Sequence, residues 1–299
     1  MTKTAWVFPG QGSQVVGMGK DLLELPEIKP TLQQADDILG WSVAEICQSA
    51  EDKLSRTLYT QPCLYVVECA LADLMRAQGY QPALVAGHSL GEYVALYVAE
   101  VFSFSAGLQL VKRRAELMDS ASDGMMAALI GFDRDQLLQQ IQQTPDVVLA
   151  NDNNAGQVVI SGTVEAVETV LNTVKAKRAV KLNVSGAFHS PLMAEAAAEF
   201  QTVLDQVAFN PAKVPILSNV DPTPTTDAAL LKQRLVQQMT GSVRWREISL
   251  QLPKSGIETV VEVGPGRVLT GLIKRTCPDL VLKNVSSLAE ISTVGETEL

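Results

Sequence analysis

The chain has 299 residues, 46% of them hydrophobic and 19% charged, with a formal net charge of −9. This is globular usage, with material for a sizeable core in one large or two modest domains. The acidic balance and the lack of a Lys/Arg-dominated segment argue against broad nucleic-acid binding, and no apolar stretch approaches the ~18–20 residues that a membrane span needs.

In chain order, MTKTAWVFPG predicts a short buried strand ended by Pro-Gly, too short and too broken to be a secretory leader. TQPCLYVVECALADLMRAQG has apolar residues at helical spacing, with Pro62 near its start and Gly79 closing it. PALVAGHS is a second strand, LGEYVALYVAEVF a helix and SAGLQLVKRRAELMDSA another. From about Met125 the order becomes strand (MMAALIGF), helix (DRDQLLQQIQQ, capped at Asp133), and strand (DVVLAN). The turn DNNAG, the strand QVVISG, a helix capped by Thr163 and the strand RAVKLNV follow. That β-α-β-β-α-β order is the ferredoxin-like pattern. Helices in PLMAEAAAEFQTVLDQV and DAALLKQRLVQQM then alternate with strands in VPILSN, ETVVEVG and LVLKNV, and the polar end SSLAEISTVGETEL is expected to fray.

The expectation is an α/β chain with a mostly parallel sheet in a discontinuous large subdomain, residues 1–122 and 191–299. A ferredoxin-like small subdomain, residues 123–190, is inserted into it. Cys47, Cys63, Cys69 and Cys277 show no metal-ligand spacing, so free thiols in a reducing cytoplasm are expected, with no metal site.

Gly87-His88-Ser89-Leu90-Gly91 is a Gly-x-Ser-x-Gly run between an apolar strand and an amphipathic helix, the setting of a nucleophile elbow. A serine nucleophile needs a base, and the chain has two histidines. His88 precedes Ser89 on the incoming strand, where successive side chains point to opposite faces, so it cannot bend back onto its neighbour. If this is a Ser–His enzyme, the base is His189, in VSGAFHSPLM at the exit of the inserted segment. The Leu90 amide is a natural oxyanion donor. FPGQGSQ offers a second donor, or is simply a flexible turn; it ends as neither a phosphate loop nor a dinucleotide fingerprint.

FPGQGSQ, GHSLGEY, LVKRRAELM, GAFHSPLM and EVGPGRVLTGL occur in that order from Thr4 to Val285. Together they resemble the malonyl-CoA:acyl carrier protein transacylases. The resemblance implies an α/β-hydrolase-like large subdomain and ping-pong transfer of malonyl from malonyl-CoA to a carrier-protein phosphopantetheine thiol, supplying fatty acid synthesis. It implies no cofactor, malonyl-CoA being a substrate; with the cysteine usage a cytoplasmic enzyme is expected, and a monomer is the default where the sequence does not give the oligomeric state. It implies Ser89 as acylated nucleophile, His189 as base and acid, and backbone amides of Gln11 and Leu90 as the oxyanion hole. Arg114 would pair with the malonyl carboxylate, Phe188 would select malonyl over branched groups, and Asn153 would line the cleft. The backbone at Arg244, in SVRW, would orient the histidine. Carrier proteins of this kind are acidic, so docking on a chain of −9 needs a local basic patch. Lys175, Lys177, Arg178 and Lys181, at the end of the second inserted helix, are the densest candidates, with Lys274 and Arg275 another. A serine esterase or thioesterase shares the elbow and base, and a non-catalytic carrier-binding scaffold is the alternative from another class. Arg114 and the more than a hundred residues after His189 fit hydrolysis less well, and retention of both Ser89 and His189 fits a scaffold less well.

Overall fold

A computed structural model describes residues 3–49, 52–121 and 124–295. Strand β1 (Thr4–Phe8) leads into helices α1 (Lys20–Leu23), α2 (Lys29–Leu39), α3 (Val43–Gln48) and α4 (Thr57–Ala77). Strand β2 (Leu84–Gly87) is followed by α5 (Gly91–Val98) and α6 (Phe104–Ser120). The next segment runs β3 (Met125–Phe132), α7 (Arg134–Gln143), β4 (Val147–Asn154), β5 (Gln157–Gly162), α8 (Val164–Thr173) and β6 (Ala176–Lys181). A 3₁₀ turn (Pro191–Met193) opens α9 (Ala194–Leu204), then come β7 (Ile216–Leu217), α10 (Ala228–Gln238) and α11 (Trp245–Lys254). The chain returns through β8 (Thr259–Val263), α12 (Val268–Thr276), β9 (Val281–Val285) and α13 (Leu288–Ile291).

Two sheets result. The first is parallel throughout, in the order β7-β2-β1-β8-β9, with β1, β2 and β7 reading as apolar runs, as expected of a helix-covered sheet, and Glu262 the buried exception on β8. The second is antiparallel, in the order β4-β5-β3-β6, which is the ferredoxin-like arrangement of a β-α-β-β-α-β segment. It has its own core, in which Ala127, Leu129, Val158 and Ile160 meet Leu137, Val167 and Val170 of α7 and α8. The α/β class and the division into a parallel and a ferredoxin-like sheet agree with the sequence reading. Asp133 and Thr163 cap α7 and α8 as expected, accepting from Gln136 N at 2.9 Å and Ala166 N at 3.2 Å.

Several boundaries differ. Helix α4 starts at Thr57, before the expected Thr60, because Asp119 of α6 accepts from Leu58 N at 3.3 Å and stands in for a local cap. Strand β4 runs through Asn154 with two register shifts, so the expected DNNAG loop shrinks to a tight hairpin at Ala155-Gly156. Helix α8 ends at Thr173, placing Lys177, Arg178 and Lys181 on edge strand β6. The C-terminal segment is ordered through Gly295, since Ile291 is fully buried and Glu290 accepts from Ser286 N at 2.7 Å; residues 296–299 of the expected frayed end lie outside the described residues.

The two sheets meet where the cleft forms. Asp152 N donates to Val243 O at 2.9 Å and Val243 N to Ala150 O at 2.8 Å, hooking β4 onto the segment before α11. Strand β2 pairs with β1 to its last residue, Phe8 opposite Gly87, so the turn into α5 leaves from the carboxyl edge of the parallel sheet. Such edges are where α/β folds bind ligands.

Candidate active site

The turn after β2 closes only because of its glycines. A Cβ on Gly87 would lie 1.9 Å from Gly91 C, and one on Gly91 2.0 Å from Phe8 O. Strand, turn and helix are therefore packed backbone to backbone. Ser89 sits at φ 52°, in the left-handed region that side chains rarely adopt, a conformation that costs of order 1–3 kcal/mol and persists where surroundings enforce it. Asn219, just beyond β7, does the enforcing: its Oδ1 accepts from Ser89 N at 2.7 Å and its Nδ2 donates to Gly87 O at 2.6 Å. The Ser89 amide is thereby occupied. Leu90 and Gln11 amides have no intramolecular acceptor among the described residues.

His189 also has positive φ, 57°, held by Ser190, whose Oγ donates to Ala187 O at 2.6 Å. Its Nε2 lies 2.8 Å from Ser89 Oγ, and its Nδ1 lies 2.9 Å from Gln238 O and 3.2 Å from Gly241 O. Two carbonyls at Nδ1 require the proton there, which leaves Nε2 as the acceptor for the serine hydroxyl. Burial, then the charge of Arg114, pushes the imidazole down to about 3, so it is the neutral form that faces Ser89. His88 is not the base: its Nε2 lies 2.9 Å from Asn153 Oδ1 and its ring packs 5.5 Å from that of Trp245.

Arg114 is fully buried on α6, facing inward as its neighbour Arg113 turns out to Glu116 and Glu199. Its Nη2 donates to Ser89 Oγ at 3.0 Å and Gln238 Oε1 at 3.1 Å, and its Nη1 to Gln61 Oε1 at 2.7 Å. Nε is buried with no acceptor among the described residues, and the Tyr93 ring lies 5.4 Å from the guanidinium carbon. The serine hydroxyl therefore lies between a base and a cation.

The cavity over Ser89 measures about 80 Å³, a small pocket suited to a short acyl group. Phe188, Met118 and Met126 give it an apolar wall, with Gln11, Gln61 and Asn151 as its polar points. Larger hollows between α6 and α9, about 350 Å³, and along α11, about 390 Å³, contain no Ser–His pair. The Gln11 loop is organised rather than loose: Ser13 N and Oγ both donate to Gly10 O, at 3.2 and 2.8 Å, and Gln11 Nε2 donates to Thr57 Oγ1 at 2.9 Å.

Ser89, His189, Arg114, Phe188, Gln11 and Leu90 thus converge on one place. Two expected residues do other work. Arg244 does not orient His189, because its carbonyl is turned into α11, accepting from Glu247 N at 3.1 Å and Ile248 N at 3.0 Å; Gln238 and Gly241 take that place. Asn153 does not line the cavity, because its carboxamide oxygen is spent on His88; Asn151, two residues earlier on the bulged β4, lines it with an unpartnered buried Oδ1. Lys181 is paired with Glu168 at 2.6 Å, and the β3–β6 register puts it opposite Ala127 on the helix-covered face. Arg178, opposite Ile130, belongs to the other face with Val180 and Ala128, while Lys175 and Lys177 are exposed. The sequence reading missed Gln61, Gln238, Asn219 and Glu92. Only Glu92 stood in a quoted motif, GHSLGEY.

Comparison with known proteins places these features in company. The family model described as acyl transferase domain matches residues 5–296. The malonyl CoA-acyl carrier protein transacylase of Synechocystis is 60% identical, over 98% of this chain and 100% of its own length. The polyketide biosynthesis malonyl CoA-acyl carrier protein transacylase of Bacillus subtilis is 44% identical, over 92% of this chain and 97% of its own. The Synechocystis crystal structure superposes with a TM-score of 0.96, covering 98% of this chain and 100% of that one. A malonyl-transacylase solved in complex with a type II polyketide acyl-carrier protein superposes at 0.93, with 36% identity and 98% of each chain covered.

Proposed function

The chain belongs to the acyl transferase family, and from its site we infer that it moves a malonyl group from malonyl-CoA to the phosphopantetheine thiol of an acyl carrier protein, supplying fatty acid synthesis. The observation that carries this reading is Arg114: a buried guanidinium bonded to the nucleophile, with an unused Nε and only neutral acceptors on its Nη atoms. A planar carboxylate is the group such a fork binds best.

The steps follow from the contacts. Ser89 Oγ attacks the thioester carbonyl as its proton passes to His189 Nε2. The carbonyl oxygen takes up the charge towards the amides of Gln11 and Leu90. Collapse expels the CoA thiolate, which takes the proton from His189 and leaves as the thiol, with malonyl on Ser89 as an ester. The carrier-protein thiol then gives its proton to His189 and attacks that ester, and Ser89 Oγ leaves with the proton restored. Throughout, the malonyl carboxylate takes the Arg114 N–H groups and displaces the contact to Ser89 Oγ, and Phe188 bounds the acyl pocket. The proton balance closes on Ser89 and His189 alone, so no cofactor enters.

The same reading makes the enzyme a monomer in the cytoplasm. Nucleophile, base and arginine all come from one chain, and the four cysteines are free thiols, three of them buried. For the acidic carrier protein it assigns the exposed basic groups on and before β6, foremost Arg178, whose face of the sheet carries Val180 and leads to Leu182 in the cavity wall.

Intact mass after mixing with malonyl-CoA tests the reading. A malonyl adduct that is lost in Ser89→Ala, and transferred when carrier protein is added, is the expected result. Prompt release of free malonate would instead make the protein a hydrolase, and no adduct would make it a scaffold. Arg114→Ala is expected to lower malonyl loading by about a hundredfold or more, the scale of ~3–5 kcal/mol lost when one partner of a buried ion pair is removed, while acetyl loading is spared.

A further inference from the structure

An isolated guanidinium is costly to bury, and the hydrogen bonds of Arg114 in the described structure go to the neutral oxygens of Gln61, Ser89 and Gln238, with the neutral phenol of Tyr93 beside it. Gln238 leads onward. Its Oε1 accepts from Arg114 Nη2 at 3.1 Å while its Nε2 donates to Glu92 Oε2 at 2.7 Å and to Ser89 O at 2.9 Å. Glu92 is 1% exposed, on the first turn of α5, and the same Oε2 accepts from Asn219 N at 3.2 Å. One carboxylate and one guanidinium are thus buried on either side of a single carboxamide.

We propose that Glu92 is the internal counter-ion of Arg114, held one amide away, and that it sets how strongly Arg114 binds the carboxylate of the acyl group. The inference rests on the transacylase reading above and adds a positioning residue for its specificity.

The spacing explains why the arrangement works. A carboxylate directly on Arg114 would saturate the fork, and the substrate would have to displace it. No carboxylate at all would leave a buried cation uncompensated in the empty site. With Gln238 between them, Glu92 offsets the charge while Arg114 Nε stays open and Nη2 rests on a hydroxyl that a carboxylate readily displaces. Burial raises the Glu92 carboxyl above the ordinary value, opposed by its bonds to Gln238, Asn219 and Ser218 and by Arg114, the charged group that faces it, so it acts as a counter-ion only above that raised value.

Glu92→Gln tests this, because its amide oxygen still accepts from Gln238 and Asn219 and only the charge is lost. The ratio of kcat/KM for malonyl-CoA over acetyl-CoA loading is expected to rise by roughly tenfold, as for a charge removed at short range in an effective dielectric of about 20. The gain is expected at neutral pH and to vanish at acid pH, once wild-type Glu92 takes up its proton and the two proteins carry the same charge, a readout that a packing role for Glu92 would not give. In an Arg114→Ala background, Glu92→Gln should leave the ratio unchanged. A folded Glu92→Gln enzyme with the wild-type ratio at neutral pH overturns the proposal, as does a gain that persists unchanged at acid pH or a ratio that shifts equally without Arg114. If Glu92→Gln does not fold, Arg114→Met in the same chain is expected to restore folding by removing the uncompensated charge; a double variant that stays unfolded overturns the pairing. Failure of wild type to form a Ser89 adduct refutes the transacylase reading instead, so the two failures are distinct.

Discussion

Asn219 holds Ser89 from both sides of its turn, accepting from the serine amide at 2.7 Å and donating to the carbonyl of Gly87 at 2.6 Å. The two residues lie 130 positions apart, and the link is what keeps a non-glycine residue at φ 52°. Without it the strained turn has a ready route to relax, costing of order 1–3 kcal/mol of positioning. Asn219→Ala is expected to lower kcat for acylation by roughly ten- to a hundredfold with little change in KM, since the cavity wall is untouched. Single-turnover loading of malonyl-CoA measures it, and an unchanged rate would remove Asn219 from the positioning of the nucleophile. Asn219→Asp should be worse than isosteric, because it puts a second carboxylate beside Glu92 and loses the donor to Gly87.

His189 gives the pH dependence. Burial first, and then Arg114, holds its folded value at about 3 against an ordinary 6.5. The base must be neutral to accept the Ser89 proton, and protonation begins only as pH falls towards the folded value. kcat/KM for loading, which reports the free enzyme, is therefore expected to stay flat from about pH 8 down to about pH 5.5. Replacing Arg114 removes the second cause, so the acid limb of acetyl loading should shift upward towards 6.5. The stability term has the matching sign. A histidine with a lowered folded value contributes fully above its unfolded value, and that contribution is lost as pH falls below 6.5 and the unfolded chain takes up the proton. A wild-type limb centred near the ordinary histidine value would mean that burial and Arg114 do not hold His189 below it.

The basic residues expected to meet an acidic carrier protein are not one patch. The β3–β6 register sets Arg178 opposite Ile130 and Lys181 opposite Ala127, on opposite faces of the sheet. Lys181 already holds Glu168, whereas Arg275 of α12 reaches Gln157, which pairs with Ile130 on the Arg178 face. Arg178→Glu is therefore expected to raise KM for carrier protein several-fold more than Lys181→Glu, with acyl loading from CoA spared and the effect weakened by salt. Steady-state transfer at two ionic strengths checks this. Equal responses of both half-reactions, or of both variants, would locate the docking surface elsewhere.

The nucleophile and base were legible because their signals are local or exclusive. A Gly-x-Ser-x-Gly run between an apolar strand and a helix marks Ser89, and only one other histidine remained once strand alternation excluded His88. The jobs of Asn153 and Arg244 were not legible, since each depends on where a neighbouring element begins or bulges. Register shifts within β4 decide that Asn151 reaches the cavity and Asn153 reaches His88, and the start of α11 consumes the Arg244 carbonyl. Capping from afar hid other boundaries: Glu262 of β8 accepts from Leu269 N at 2.9 Å and Thr270 N at 2.7 Å to open α12, a partner that no local pattern announces. The Glu92–Gln238–Arg114 chain was invisible for the same reason, joining residues 146 and 124 positions apart.

Glu262 also bears on the last prediction, through its neighbour Glu68. Glu262 is fully buried but well supplied, with Asn284 Nδ2 and Thr270 Oγ1 adding donors at 3.1 and 2.9 Å to the two amides of α12. Glu68, on α4, is fully buried, and neither carboxyl oxygen has a partner among the described residues. Burial, and then the nearby charge of Glu262, pushes its carboxyl well above the usual carboxylate range. Below the unfolded value both states carry the proton and the group has no effect on the balance. As pH rises through that value the unfolded chain ionises while the folded one does not, so stability is lost progressively up to the folded value. Glu68→Gln removes that loss while keeping the shape. The variant is expected to match wild type in melting temperature near pH 4 and to exceed it by roughly 2–4 °C above pH 7, the shift that about 1 kcal/mol gives in a chain of this order of size. Thermal melts across that range decide it. A variant less stable than wild type at pH 8 would mean that Glu68 is ionised and paired in solution.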